Sequence, residues 1–208
     1  YSDNRISGDV FTYSSSSSFS SKTVGNAKAI STTGITITGT DSGNYTPNTT
    51  ASSTANITAR PLAVTITASN KVYDGTTSAS VTYLDDRVTG DQFAVSGTST
   101  FDNKNIGSGK TVTASSIAIS GLDAANYSQN TSTTTTADIT VRTLTVTAVA
   151  DSKVYDATVN ATAVYSDNRV SGDVLSVTGT ATFATKTAAN GNRKASAQAA
   201  ASPGSLPL

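Results

Sequence analysis

Residues 61–77 read PLAVTITASNKVYDGTT, and the first half of this stretch decides the fold class. Leu62, Val64, Ile66 and Ala68 occupy every second position, with Thr65 and Thr67 between them. A period of two puts the aliphatic side chains on one face of an extended strand and the hydroxyls on the other, the pattern of a half-buried β-strand. The second half closes it. Lys71-Val72-Tyr73 runs into Asp74-Gly75, a pair that favours a tight turn through the carboxylate and the unrestricted glycine backbone. The phrase returns at 153–159 as KVYDATV, with Tyr155 and Asp156 kept and Ala157 in place of the glycine. A glycine needed there for positive φ would leave the alanine strained by about 1 kcal/mol or more. The expectation is therefore a turn that accepts alanine, such as a type I turn opened by the aspartate. The rival reading is a Tyr-Asp pair that contacts a ligand.

The same step organises the whole chain. YSDNRISGD begins at Tyr1, YLDDRVTGD at Tyr83 and YSDNRVSGD at Tyr165, a spacing of 82 residues each time. Phe19, Phe101 and Phe183 keep that step, as do Lys22, Lys104 and Lys186, and the Asn-Tyr pairs at 44–45 and 126–127. Fixed-period similarity of this length marks a repeat architecture. The chain divides into the back part of a first copy (1–60), a complete middle copy (61–142) and the front part of a third (143–189). From 190 to 208 the match is lost, and NGNRKASAQAAASPGSLPL is expected to be a disordered tail outside the repeat. The lack of Met and the start in mid-pattern suggest a piece of a longer protein.

Within the middle copy further strands are expected at Ala79–Tyr83, Phe93–Phe101, Thr111–Ser120 and Ala137–Val141. In the third of these, Val112 and Ala114 are out of phase with Ile117 and Ile119, a slip that a β-bulge near Ser115-Ser116 absorbs. Helical periodicity is absent, so the class is all-β. Five to seven short strands per unit suggest tandem small β-sandwiches of Ig-like type, with a β-grasp-like repeat as the alternative.

Composition narrows the function. Ser and Thr make up 69 of 208 residues, charged residues are 13%, and the net charge is zero. A nucleic-acid partner is not expected, because phosphate binding needs a basic surface. No apolar run approaches the ~18 residues of a membrane-spanning helix. Without Cys or His the usual thiol, imidazole and zinc chemistries have no residues to act through, and no enzyme activity is expected. Hard cations need oxygen ligands, and Asp85, Asp86 and Asp91 within seven residues form the one calcium candidate. Against it, the other copies read Asp-Asn and the chain has no Glu, so solvated loop carboxylates are the preferred reading and no cofactor is assigned.

KVYDGTT after a Thr-rich strand, then GD, FDNKNIGSGK, GLDAANYS and a closing ADITVR, resembles the YDG-type repeat domain over residues 1 to about 189. That resemblance implies a tandem array in very large bacterial surface adhesins, filamentous haemagglutinin-like and exported by two-partner secretion. It marks Tyr73, Asp74, Gly75, Tyr155 and Asp156 as structural motif residues. A cysteine-free, hydroxyl-rich chain of low charge fits the same extracellular, cell-surface setting. DSGNY at 41–45 and DAANY at 123–127 also resemble the Asp-x-Ala/Gly-x-Tyr corner of immunoglobulin-type domains, which marks Asp123, Asn126 and Tyr127. The expected role is a structural stalk whose partners are neighbouring repeats of the same chain. The alternative is a carbohydrate- or protein-binding module acting by avidity, with Tyr83 and Tyr127 as aromatic platforms. No pattern in the chain identifies a host receptor.

Overall fold

Alternating β-branched and hydroxyl-bearing residues favour extended backbone over helix. The computed structural model of the chain, which describes residues 2–187 and the backbone of 196–202, is all-β. The first copy supplies β1 (Thr12–Phe19), β2 (Gly25–Thr38) and β3 (Thr50–Ile57), an antiparallel sheet with β2 in the centre. The middle copy supplies β4 (Arg60–Leu62), β5 (Val64–Ala68), β6 (Lys71–Val72), β7 (Val81–Asp85), β8 (Ala94–Phe101), β9 (Gly107–Ser120), β10 (Tyr127–Gln129) and β11 (Thr133–Thr140). Here β5 pairs with β7, and β6-β11-β9-β8 form a four-stranded sheet. Two pairings are parallel: β4 with β10, and β6 with β11 through Lys71↔Ile139 and Val72↔Thr140. The third copy supplies β12 (Val146–Ala150), β13 (Asn160–Ala161), β14 (Ala163–Asp167), β15 (Ser176–Thr182) and β16 (Ser196–Ser202). The antiparallel pair β12–β14 lies one period after β5–β7.

The slip expected in β9 is present. Val112 and Ala114 are buried, Ser115 and Ser116 are exposed, and Ile117 is buried again, with Ser116 at φ 52°. In the first copy the β1–β2 register shifts between Ser14 and Ser16 across from Gly34, one period before Ser116, at φ 64°. A left-handed residue in one strand is how a bulge reverses side-chain phase without ending the ladder.

The expectation of a structureless tail from 190 onward is corrected for Ser196–Ser202. This segment pairs with β15 along its length, with Val177 opposite Ala201, two periods after Tyr13 opposite Ile37 in the first copy. Backbone hydrogen bonding needs no particular side chain, so an Ala-rich stretch keeps the strand position after the sequence match has been lost. The rest of that tail lies outside the described residues.

Two units divide the chain, and each draws on two copies. One holds the chain up to Thr67 with Thr82–Thr98 and Ala114–Thr134; the other holds Ala68–Val81, Ser99–Thr113 and the chain from Thr135 onward. In the first unit the buried aliphatic and aromatic residues include Phe11, Ile35, Leu62, Val64, Ile66, Phe93, Ile117 and Tyr127. In the second they include Phe101, Val112, Ile139 and Ala181, with Val112 and Ile139 fully enclosed. Leu62, Val64 and Ile66 face inward and Thr65 and Thr67 outward, as their alternation requires. Among the described residues no helix is long and apolar enough to cross a membrane.

Candidate functional site: the Tyr-Asp-Gly loop and the loop it meets

The repeated phrase is a knot tied around one lysine. From β6, the Lys71 ammonium donates to Asp74 Oδ1 at 2.8 Å, to the carbonyls of Thr76 at 2.8 Å and Ser78 at 3.0 Å, and to the Thr76 hydroxyl at 3.1 Å. The same Asp74 oxygen accepts the Thr76 N–H and hydroxyl, both at 2.9 Å. The Lys71 ammonium, and after it the Thr76 N–H, hold the Asp74 carboxyl down at about 2. Lys153, Asp156 and Thr158 repeat the arrangement in the third copy, with Asp156 also at about 2. The turn keeps a left-handed residue after the aspartate in both copies, Gly75 at φ 78° and Ala157 at φ 62°. This corrects the expected type I geometry: the loop does accept alanine, but in the left-handed region, where the lysine and threonine contacts impose the backbone and Ala157 carries about 1–2 kcal/mol of strain.

A second loop, between β7 and β8, is built on an Asp-x-Arg clip. Arg87 Nε and Nη2 donate to the two carboxylate oxygens of Asp85 at 2.8 and 2.6 Å, while Nη1 donates to the Phe93 carbonyl at 2.7 Å. The guanidinium carbon stands 3.8 Å from the centroid of the Phe93 ring. Arg5 clips Asp3 and the Phe11 carbonyl, and Arg169 clips Asp167 and the Leu175 carbonyl, in the same way. Only a planar fork makes both bonds to one carboxylate and stacks on a ring. The arginine holds the carboxyl of Asp85, whose side chain is 7% exposed, below the usual range. The sequence carries a signal for these clips that lies outside the Tyr-Asp-Gly motif, an arginine two places after an aspartate in every copy.

The Asp-Ala-Ala-Asn-Tyr corner fastens this loop from the other side. The one-turn 3-10 helix Ala124–Asn126 delivers Tyr127, whose hydroxyl donates to Asp91 at 2.6 Å and accepts the Val88 N–H at 2.9 Å. Asp123 accepts the Gln92 N–H at 2.9 Å. Tyr45 and Asp41 do the same for Ile6, Asp9 and Val10 in the first copy. The hydrogen bond to Asp91, and next to it burial, push the Tyr127 phenol up from its usual value.

The three calcium candidates are thereby put to separate uses. Asp85 is clipped by Arg87, Asp86 accepts the Ala63 N–H at 2.8 Å, and Asp91 takes Tyr127 and Lys22. Among the described residues no group of three acidic side chains converges to hold a metal ion.

The Tyr-Asp-Gly loop of one copy meets the Gly-Asp loop of the next. Tyr73 donates its hydroxyl to Asp173 at 2.7 Å, and the Lys104 ammonium lies 3.7 Å from the same oxygen. One period earlier the Lys22 ammonium lies 3.1 Å from Asp91 and 3.4 Å from Asp123, and the Val24 N–H donates to Asn126 at 2.9 Å. A cleft of about 200 Å³ beside the Tyr73–Asp173 contact is lined by Ile106, Val141, Leu144 and Val170. The hydrogen bond to Asp173, with burial second, pushes the Tyr73 phenol up. Tyr155, one period after Tyr73, is 61% exposed.

No curated protein and no solved structure matches the chain. A model of the YDG domain matches it in three segments, 1–54, 58–136 and 140–202, the last of which runs through β16. With nearly the whole length matched in three successive segments, the chain belongs to the YDG domain family.

Proposed function

We propose that these repeats are a stalk in a secreted bacterial cell-surface adhesin, with no catalytic role, extending a binding region away from the cell. The observation that carries this reading is the contact between copies, which recurs at the period of the sequence: Lys22 on Asp91, then Lys104 on Asp173. A unit that passes the same contact to its successor propagates by simple repetition, as solenoid and tandem arrays do. Composition adds to it, since a cysteine-free chain does not depend on disulfide formation during export. The binding-module alternative relied on exposed rings at Tyr83 and Tyr127. Tyr127 is buried with its hydroxyl engaged and Tyr83 is half-buried, so neither supports it.

Small-angle scattering on chains of two, three and four complete copies tests the stalk. The expected result is a constant cross-section and a maximum dimension that grows by about 3–4 nm per copy, unchanged by calcium. A maximum dimension that does not grow with copy number would end the proposal.

A further inference from the structure

In the middle copy the glycine of the Tyr-Asp-Gly loop faces the following copy. A Cβ built on Gly75 would stand 2.6 Å from Cγ1 of Val170, closer than Cβ atoms come to any neighbour, and 3.7 Å from its Cβ. Val170 lies three residues before Asp173, which receives Tyr73. Glycine therefore does two things at this place: it takes the left-handed φ, and it leaves room for the branched side chain of the next copy. The third copy separates the two, because Ala157 holds the same left-handed conformation with a Cβ present.

We propose that the residue after the loop aspartate selects whether a following copy can seat on the loop: glycine at 75 admits the valine of the next Asp-Asn-Arg-Val-Ser-Gly-Asp segment, and alanine excludes it. The partner is another copy of this same repeat, recognised by three groups: its valine against the glycine, its Gly-Asp carboxylate on the tyrosine hydroxyl, and the same carboxylate near the lysine one period after Lys22. Rotation of Val170 does not simply relieve the overlap, because a β-branched side chain is restricted at χ1. By the same reasoning Ala157 makes the third loop a mismatched seat for a fourth copy docked in this manner. The selector concerns the seat alone and holds whether or not the array serves as a stalk.

The chain contains no cysteine, so two introduced ones carry nitroxide labels without interference. Ser108→Cys in the middle copy and Val164→Cys in the third, both exposed, report the distance distribution between the copies by pulsed electron resonance. Gly75→Ala is expected to give an about twofold broader distribution, the response of a seat displaced by overpacking. Adding Val170→Ala should restore the narrow distribution, and Ala157→Gly should leave it unchanged. Because Ala157 shows that the loop tolerates alanine, broadening cannot be ascribed to an unfolded loop. An unchanged width in Gly75→Ala, or broadening that Val170→Ala does not reverse, would overturn the selector.

Discussion

Every non-glycine residue with positive φ among those described is glycine in another copy. Ala27 at φ 48° corresponds to Gly109 at 60°, Ser116 at 52° to Gly34 at 64°, and Ala157 at 62° to Gly75 at 78°. The neighbours impose the conformation: the Ala27 and Gly109 N–H groups each donate at 2.8 Å to a side-chain oxygen, of Asn56 and of Asp138. Ala157→Gly is accordingly expected to stabilise the chain by about 1 kcal/mol, the strain released less the entropy glycine adds to the unfolded state. Urea unfolding reads this directly, and a lower midpoint would contradict it. The knot around Lys71 has its own signature. Asp74 and Asp156 are held at about 2 against an ordinary 3.8, so each contributes stability that is full above pH 3.8 and is lost as pH falls towards 2. Carboxyl carbon titration by NMR should place both midpoints near 2, and midpoints near 3.8 would mean that the knot does not form.

Among the elements, the loops are held more tightly than their composition suggests. The loop between β7 and β8 carries three charged side chains, and each has a partner: Arg87 with Asp85 at the end of β7, Asp86 at the Ala63 N–H, and Asp91 with Tyr127. Tyr127→Phe removes the acceptor of the Val88 N–H and a donor to Asp91 while keeping the buried ring. Hydrogen exchange of the Val88 amide is expected to accelerate in that variant, whereas the ladder amides of β9 hold their protection. An unchanged Val88 rate would show that the corner does not fasten the loop. Strand alternation and the β9 bulge were legible in advance because side-chain phase is a local property of a few residues. The parallel pairing of Lys71–Val72 with Ile139–Thr140 was not, since a two-residue strand has no periodicity and its partner lies nearly a whole copy away.

For the molecule as a whole, the repeat in the sequence and the compact unit in space are out of phase. Each unit takes segments from two copies, and the contacts Lys22–Asp91 and Tyr73–Asp173 fall inside units. A fragment cut at the sequence period, residues 61–142, forfeits both contacts. Its Val112 and Ile139 amides are expected to exchange faster than in the full chain, because repeat stability is shared between neighbours. Equal rates would show that one copy is self-sufficient. The sequence by itself determined the period, the β class and the family, because each is written in the spacing of neighbouring residue types. It also located the Tyr-Asp-Gly loop and the Asp-x-x-Asn-Tyr corner. Only the tertiary structure decided that Tyr73 reaches Asp173, one hundred residues on, and that Ala157 takes a left-handed turn. A hydrogen bond between distant loops, and a backbone angle imposed by its surroundings, exist only once the chain has folded.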